Sequence, residues 1–203
     1  DSDAFTLAKK LNIMKERREE GGMLMPLLEK DHYTIKDIEE LPEGERAELI
    51  DGQIYMLATP STRHQRLSHF LLRKIDSYIE SKKGKCEVFY APFGVFLKNE
   101  KWGEDFVEPD LMVICDPNKV DEKGCHGAPD WVIEIVSPSS KMRDYLQKAN
   151  LYMNNGVQEY WIVDPMSETT VVYKHEEEGV QIIYKFGEPI KVGIYEDFEI
   201  TIE

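Results

Sequence analysis

Between residues 61 and 81, Leu67, Phe70, Leu71, Ile75, Tyr78 and Ile79 recur at three- and four-residue spacing. That spacing gathers them into one stripe and predicts a long amphipathic helix opening at Ser61 or Thr62. Elsewhere the apolar positions come in short runs. Residues 86–90 and 94–98 read as strand pieces separated by Pro92, and 107–115, 130–136 and 160–163 read as further strands. Asp51-Gly52 stands between apolar runs at 48–50 and 53–57; a tight turn with two positive-φ positions suits this dipeptide, so a β-hairpin is expected. A last hairpin is expected over 169–186 with its turn at 176–179. Thr34 is placed to cap a short helix over 34–41, with Pro42 beyond its end. A helix over about 140–154 should end near Gly156, where glycine accepts the left-handed conformation. A strand that follows a crossover helix can return parallel to an earlier one. The order of elements therefore predicts an α/β fold, a mixed central β-sheet flanked by helices with extra β-hairpins.

Residues 1–30 carry only a short helical pattern at Phe5, Leu7, Ala8 and Leu11, then a mixed-charge stretch and Gly21-Gly22. They read as an N-terminal extension, native or left from cloning, and 31–203 as one domain. No apolar run approaches the roughly 20 residues of a membrane helix, and the start lacks the apolar stretch of a secretory signal. A cytoplasmic protein without a membrane partner is expected. Cys86, Cys115 and Cys125 are odd in number and form no C-x-x-C pair, which argues against a disulfide framework or a structural zinc site and for reduced thiols.

The chain has 39 acidic and 25 basic residues, a formal charge of −14. Non-specific affinity for DNA comes from neutralising phosphates, so any such contact has to rest on local patches. Arg63, Arg66, Arg73 and Lys74, then Lys82, Lys83 and Lys85, then Lys141 and Arg143 are the candidates; the plain alternative is solvated helix faces.

Two acids stand where apolar residues are expected. Strand alternation puts Asp110 on the face of Met112 and Ile114, and Glu134 on the face of Val132 and Val136. A carboxylate in such a place needs a cation, a hydrogen-bond network or a raised pKa. Two of them on neighbouring strands can share one divalent metal, an arrangement suited to phosphodiester hydrolysis. On spacing alone, pairing of both acids with Arg or Lys at the sheet rim is an equal alternative.

A larger set of motifs surrounds these acids. Glu108-Pro109-Asp110 precedes an apolar strand. Ala128-Pro129-Asp130-Trp131-Val132-Ile133-Glu134-Ile135-Val136-Ser137-Pro138-Ser139-Ser140 follows, then Lys148 with Tyr152, then Gly156-Val157-Gln158-Glu159-Tyr160-Trp161-Ile162-Val163-Asp164-Pro165. Upstream stand Glu48-Leu49-Ile50-Asp51-Gly52 and His64. As an ordered set, from Tyr33 to the C-terminus, these resemble the Uma-type family of restriction endonucleases within the PD-(D/E)XK nuclease superfamily.

The resemblance implies a restriction-endonuclease-like core and a metal-dependent endonuclease acting on DNA with Mg²⁺, or Mn²⁺. It implies a homodimer as well, because cutting two strands favours two sites. It assigns Asp110 and Glu134 as metal ligands, with the backbone carbonyl of Ile135 as a third. The superfamily pattern has lysine two residues after the second acid, where this chain has Val136; Lys148, on the following helix, is expected to take that role. The plain alternative for Lys148 is an i,i+4 pair with Asp144. Glu48 fits an early acidic position, for a second metal or for orienting the first, against a solvated hairpin residue. His64 is expected to contact substrate phosphate or hydrogen-bond Glu48, and Tyr152 to hydrogen-bond within the substrate site, although tyrosine at this helical spacing is also ordinary core. Asp130 reads as a cap on the preceding turn, and 137–140 as a turn and helix N-cap rather than a hydrolase nucleophile. Val136 and the acidic charge support an alternative reading, a catalytically inactive nuclease-fold module that binds nucleic acid or a partner. A hydrolase of another phosphoester is a third.

Overall fold

The computed structural model describes residues 31–176 and 180–203. Thr34 opens helix α1 (Ile35–Glu39), its amide donating to Asp37 Oδ2 at 2.9 Å. Strands β1 (Ala47–Ile50) and β2 (Gln53–Met56) form the expected hairpin. Asp51 and Gly52 take φ of 51° and 71°, as a tight turn twisted with its strands requires. Ser61 caps helix α2 (Thr62–Lys82) by accepting the His64 amide at 3.2 Å, and the helix buries Leu67, Leu71, Ile75 and Ile79.

Seven strands follow in turn: β3 (Glu87–Tyr90), β4 (Val95–Asn99), β5 (Gly103–Val107), β6 (Leu111–Ile114), β7 (Val120–Asp121), β8 (Gly124–His126) and β9 (Trp131–Ile135). A wide i→i+5 turn (Arg143–Lys148) runs into helix α3 (Ala149–Asn154). The remaining strands are β10 (Glu159–Asp164), β11 (Thr169–Lys174), β12 (Gln181–Lys185), β13 (Pro189–Lys191) and β14 (Glu199–Thr201).

The central sheet has the order β12-β11-β10-β9-β6-β3, with β9 and β10 parallel and the other pairs antiparallel. One face, carrying Leu111, Val113, Trp131, Ile133 and Trp161, packs on α2. The opposite face, carrying Met112, Val132, Val136, Tyr160 and Ile162, packs on α3 and on Val95, Leu97 and Val107 of a second sheet. This α/β arrangement agrees with the fold class expected from the sequence.

Several local expectations are corrected. Residues 107–115 are not one strand: Val107 ends β5 in the second sheet and Leu111 begins β6 in the central one. Glu108-Pro109-Asp110 is the crossing between them, and Pro109 has no amide to continue a ladder. The flanking hairpin and strand pieces assemble a second six-stranded mixed sheet, β2-β1-β5-β4-β8-β7, in which β4 and β8 run parallel. The helix expected over 140–154 opens with two α-helical residues and widens over Arg143–Lys148. Cys86 and Cys115 are joined as a disulfide, contrary to the expectation of reduced thiols; Cys125 is free and buried. The reason lies in register, since Glu87 pairs with Ile114 and the next positions outward are the two cysteines. The last hairpin forms between β11 and β12, while the expected extension at 1–30 and residues 177–179 of the expected turn lie outside the described residues.

Candidate active site

The crossing at 108–110 and the register of β9 beside β6 bring the two singled-out acids to one end of the central sheet. Asp110 Oδ2 accepts the Ile135 amide at 2.7 Å and lies 3.0 Å from His64 Nε2. Glu134 Oε1 accepts Lys148 Nζ at 2.7 Å and the Tyr152 hydroxyl at 2.8 Å. Lys148 Nζ is also 2.7 Å from Glu48 Oε1 and 3.8 Å from Asp144 Oδ1. Glu48 enters from the second sheet, where β1 pairs with β5; its Oε1 accepts the Glu108 amide at 3.2 Å and its Oε2 lies 3.3 Å from Arg143 Nη1. The Arg143 guanidinium in turn sits over the Tyr55 ring, 4.6 Å from its centroid.

The wide turn explains why Arg143 and Lys148 both reach Glu48. In an i→i+5 turn, residues five apart come nearly into line, whereas in an α-helix they diverge. Tyr152, one α-helical turn beyond Lys148, then points at the same Glu134 oxygen.

This cluster is nearly dry. Glu48 is 0%, Asp144 2%, Lys148 3% and Glu134 4% exposed, so each charge answers to its neighbours more than to water. Burial pushes the Glu134 carboxyl well up, opposed by the Lys148 ammonium and assisted by Asp110, Asp144 and Glu48. Burial likewise lifts Asp144 to about 6, again against the pull of Lys148. For Lys148 burial disfavours the charge, but Glu134, Glu48 and Asp144 outweigh it and hold the ammonium protonated far above its ordinary range. The balance at His64 is similar: burial lowers its pKa, the hydrogen bond and charge of Asp110 raise it, and the net shift is upward. Tyr152 is pushed up chiefly by burial.

The cluster floors a cleft of about 630 Å³, on which Arg46, Arg63, His64, Tyr90 and Met166 also border. Five of the six side chains singled out in the sequence, Glu48, His64, Asp110, Glu134 and Lys148, border this cleft, and the Ile135 backbone takes part through its amide. Tyr152, expected to hydrogen-bond within the substrate site, is buried behind Glu134 and reaches the site only through it. Three details bear on the expectations and their alternatives. His64 bonds Asp110 rather than Glu48, because Asp110 lies at the sheet crossing beside the first turn of α2. Glu48 is buried, not solvated. Lys148 stands closer to Glu134 and Glu48 than to its i,i+4 neighbour Asp144. The alternative of acids paired with basic side chains is met at Glu134, in the interior rather than at the rim. Arg143 and Asp144 entered the sequence reading only as a surface patch and a helix partner; their spacing from Lys148 was the available signal. Tyr55, in the hairpin, gave none.

Among the described residues no three His, Cys, Asp or Glu side chains converge into a ready-made cation cage. The donor chemistry still suits a hard divalent ion. The described hydrogen bonds to Glu134 fall on Oε1 and those to Asp110 on Oδ2, so each carboxylate has a second oxygen to offer. Mg²⁺ is commonly held by one or two carboxylates, with water and substrate phosphate completing its shell.

A family profile described as "Putative restriction endonuclease" matches residues 35–203. The chain belongs to the Uma2 family. Two uncharacterized proteins of Synechocystis are similar to this Uma2 chain. One is 27% identical over 145 residues, covering 71% of this chain and 74% of its own length; the other is 28% identical over 123 residues, covering 59% and 67%. A crystal structure from Anabaena variabilis, described as a putative nuclease belonging to DUF820, superposes with a TM-score of 0.65 at 22% identity, covering 79% of this chain and 89% of that one. At that identity the likeness carries the fold. No helix among the described residues is long and apolar enough to cross a membrane.

Proposed function

We propose that this Uma2 protein is a metal-dependent endonuclease that hydrolyses DNA phosphodiester bonds. The observation that carries this reading is the position of Lys148. Its ammonium, 2.7 Å from Glu134, comes from the turn after β9 and supplies beside the second acid the charge that Val136 does not. Asp110 and Glu134 are the catalytic acids, and Glu48 and Tyr152 hold Lys148 and Glu134 in place.

Mg²⁺ or Mn²⁺, held by Asp110, Glu134 and the carbonyl of Ile135, would supply Lewis-acid polarisation of the scissile phosphate. The chain's own residues do the rest. Lys148 is kept charged by three carboxylates, so it serves as a fixed cation that orients the attacking water and offsets charge on the phosphate, not as a base. Tyr152 and Lys148 both donate to Glu134 Oε1 and thereby fix the rotation of its carboxyl group. His64 and the Ile135 amide fix Asp110 in the same way; with Nε2 on Asp110 and Nδ1 buried, His64 acts on the substrate through Asp110 and not by direct contact with a phosphate. A homodimer would offer one such site to each strand, which sedimentation at assay concentrations measures.

The test is cleavage of supercoiled and linear DNA at low salt with Mg²⁺ or Mn²⁺. The wild type is expected to cut only with the cation, and Asp110→Ala to lose about a thousandfold in rate. A folded wild type that binds DNA but cuts nothing with either ion would instead select the inactive binding module, a reading that Val136 and the net charge of −14 favour.

A further inference from the structure

Strand β3 is the edge of the central sheet, and the residues around it alternate between its faces. Cys86 and Val88 pack into the core on the α2 side. Tyr90, next on that face, is 56% exposed. Its side chain has neither hydrogen bond nor ring partner among the described residues, yet it borders the cleft. Its place relative to the acids is fixed by the ladder: Tyr90 pairs with Leu111, and the next amide, Ala91, donates to the Asp110 carbonyl at 3.2 Å. The ring therefore stands one residue from Asp110 on the neighbouring strand.

The same cleft receives Arg63 from the first turn of α2. Arg63 meets Glu168 at 3.1 Å, but the two side chains are 55% and 66% exposed, and such a pair is held weakly in water. Its guanidinium is accordingly free to exchange Glu168 for a phosphate. The cleft thus offers an open aromatic ring, a loosely held cation and buried acids along its lining. A nucleotide presents a flat π-surface joined to a phosphate.

We propose that Tyr90 is a stacking platform for an unpaired nucleobase beside the scissile phosphate, so that the site takes single-stranded or locally unpaired DNA in preference to intact duplex. The location of the scissile bond rests on the nuclease reading above; the stacking does not. In a duplex both faces of a base are covered by its neighbours, and the base has to leave the stack before a protein ring can cover it. Stacking on a side chain tolerates any base and survives exchange of one aromatic for another.

The experiment is fluorescence anisotropy with labelled single-stranded and duplex oligonucleotides in EDTA, where no cleavage occurs. Wild type, Tyr90→Ala, Tyr90→Phe and Tyr90→Trp are compared. Tyr90→Ala is expected to weaken single-strand binding about tenfold, Phe and Trp to restore it, and duplex binding to stay unchanged. An oligonucleotide of abasic residues should cost the wild type a similar factor and Tyr90→Ala nothing further. Equal single-strand affinity for wild type and Tyr90→Ala, or failure of Phe to restore it, would overturn the proposal. A parallel Mg²⁺ assay separates the two readings. Binding that depends on Tyr90 without any cleavage refutes the nuclease and supports the stacking; cleavage of single strands by wild type and Tyr90→Ala at the same KM and kcat does the reverse.

Discussion

Glu134 and Glu159 are both acids buried in central strands, and burial raises the pKa of both. Their surroundings differ. Glu159 accepts the Trp161 indole N–H at 2.7 Å on one oxygen and the Gly193 and Ile194 amides at 2.5 and 3.2 Å on the other. It is saturated by donors, opens on no described cleft, and ties the segment after β13 to the sheet. Glu134 takes its donors on a single oxygen, shares Lys148 with two further acids and borders the cleft. A buried carboxylate is thus not by itself the mark of a site. The mark is a carboxylate left partly unsatisfied among others, where a cation or a substrate completes the set.

The largest effect on stability is expected where that set loses its cation. Lys148→Met leaves Glu48, Glu134 and Asp144 facing one another in the interior, and urea unfolding should show a loss of about 3–5 kcal/mol. A loss under 1 kcal/mol would mean that water already screens the cluster. Next comes the saturated acid: Glu159→Gln turns an acceptor into a donor opposite N–H groups and should cost about 1–3 kcal/mol, while cleavage below the melting temperature stays at the wild-type rate. A catalytic defect in folded Glu159→Gln would erase the contrast between the two acids.

The smallest effect concerns pH. Asp144 rises from 3.8 to about 6 on folding, so in that window the folded chain binds more protons than the unfolded one. Its contribution is fully present below the unfolded value and is lost as pH rises through about 6. Relative to wild type, Asp144→Asn should therefore lose less stability between pH 4 and 6. Parallel stability curves for the two proteins would contradict the assignment.

Much of this site was legible because strand periodicity is strict. Alternation placed Glu134 with Val132 and Val136, and the opposite-face residues Ile133 and Ile135 do pack on α2; Asp110 stands in the crossing before β6, beside His64 of α2, where strand alternation does not apply. The hairpin at Asp51-Gly52 and the stripe of α2 were legible for the same local reasons. What local pattern does not encode is which sheet a strand joins. The split of 107–115 between two sheets, the burial of Glu48 by a hairpin from the second sheet, and the meeting of Cys86 with Cys115 all depend on pairings distant in sequence. The wide turn at Arg143–Lys148 was hidden too, because its residues suit an ordinary helix and only the packing around Glu48 shows the extra width.

The account turns on Glu134 as a catalytic acid and Glu159 as a structural one. The most direct measurement is Mn²⁺- and Mg²⁺-dependent cleavage of single-stranded and supercoiled DNA by wild type, Glu134→Gln and Glu159→Gln, each checked for folding by circular dichroism. The account predicts cation-dependent cutting by wild type and Glu159→Gln and a loss of about a thousandfold in Glu134→Gln. Undiminished cleavage by Glu134→Gln would contradict it.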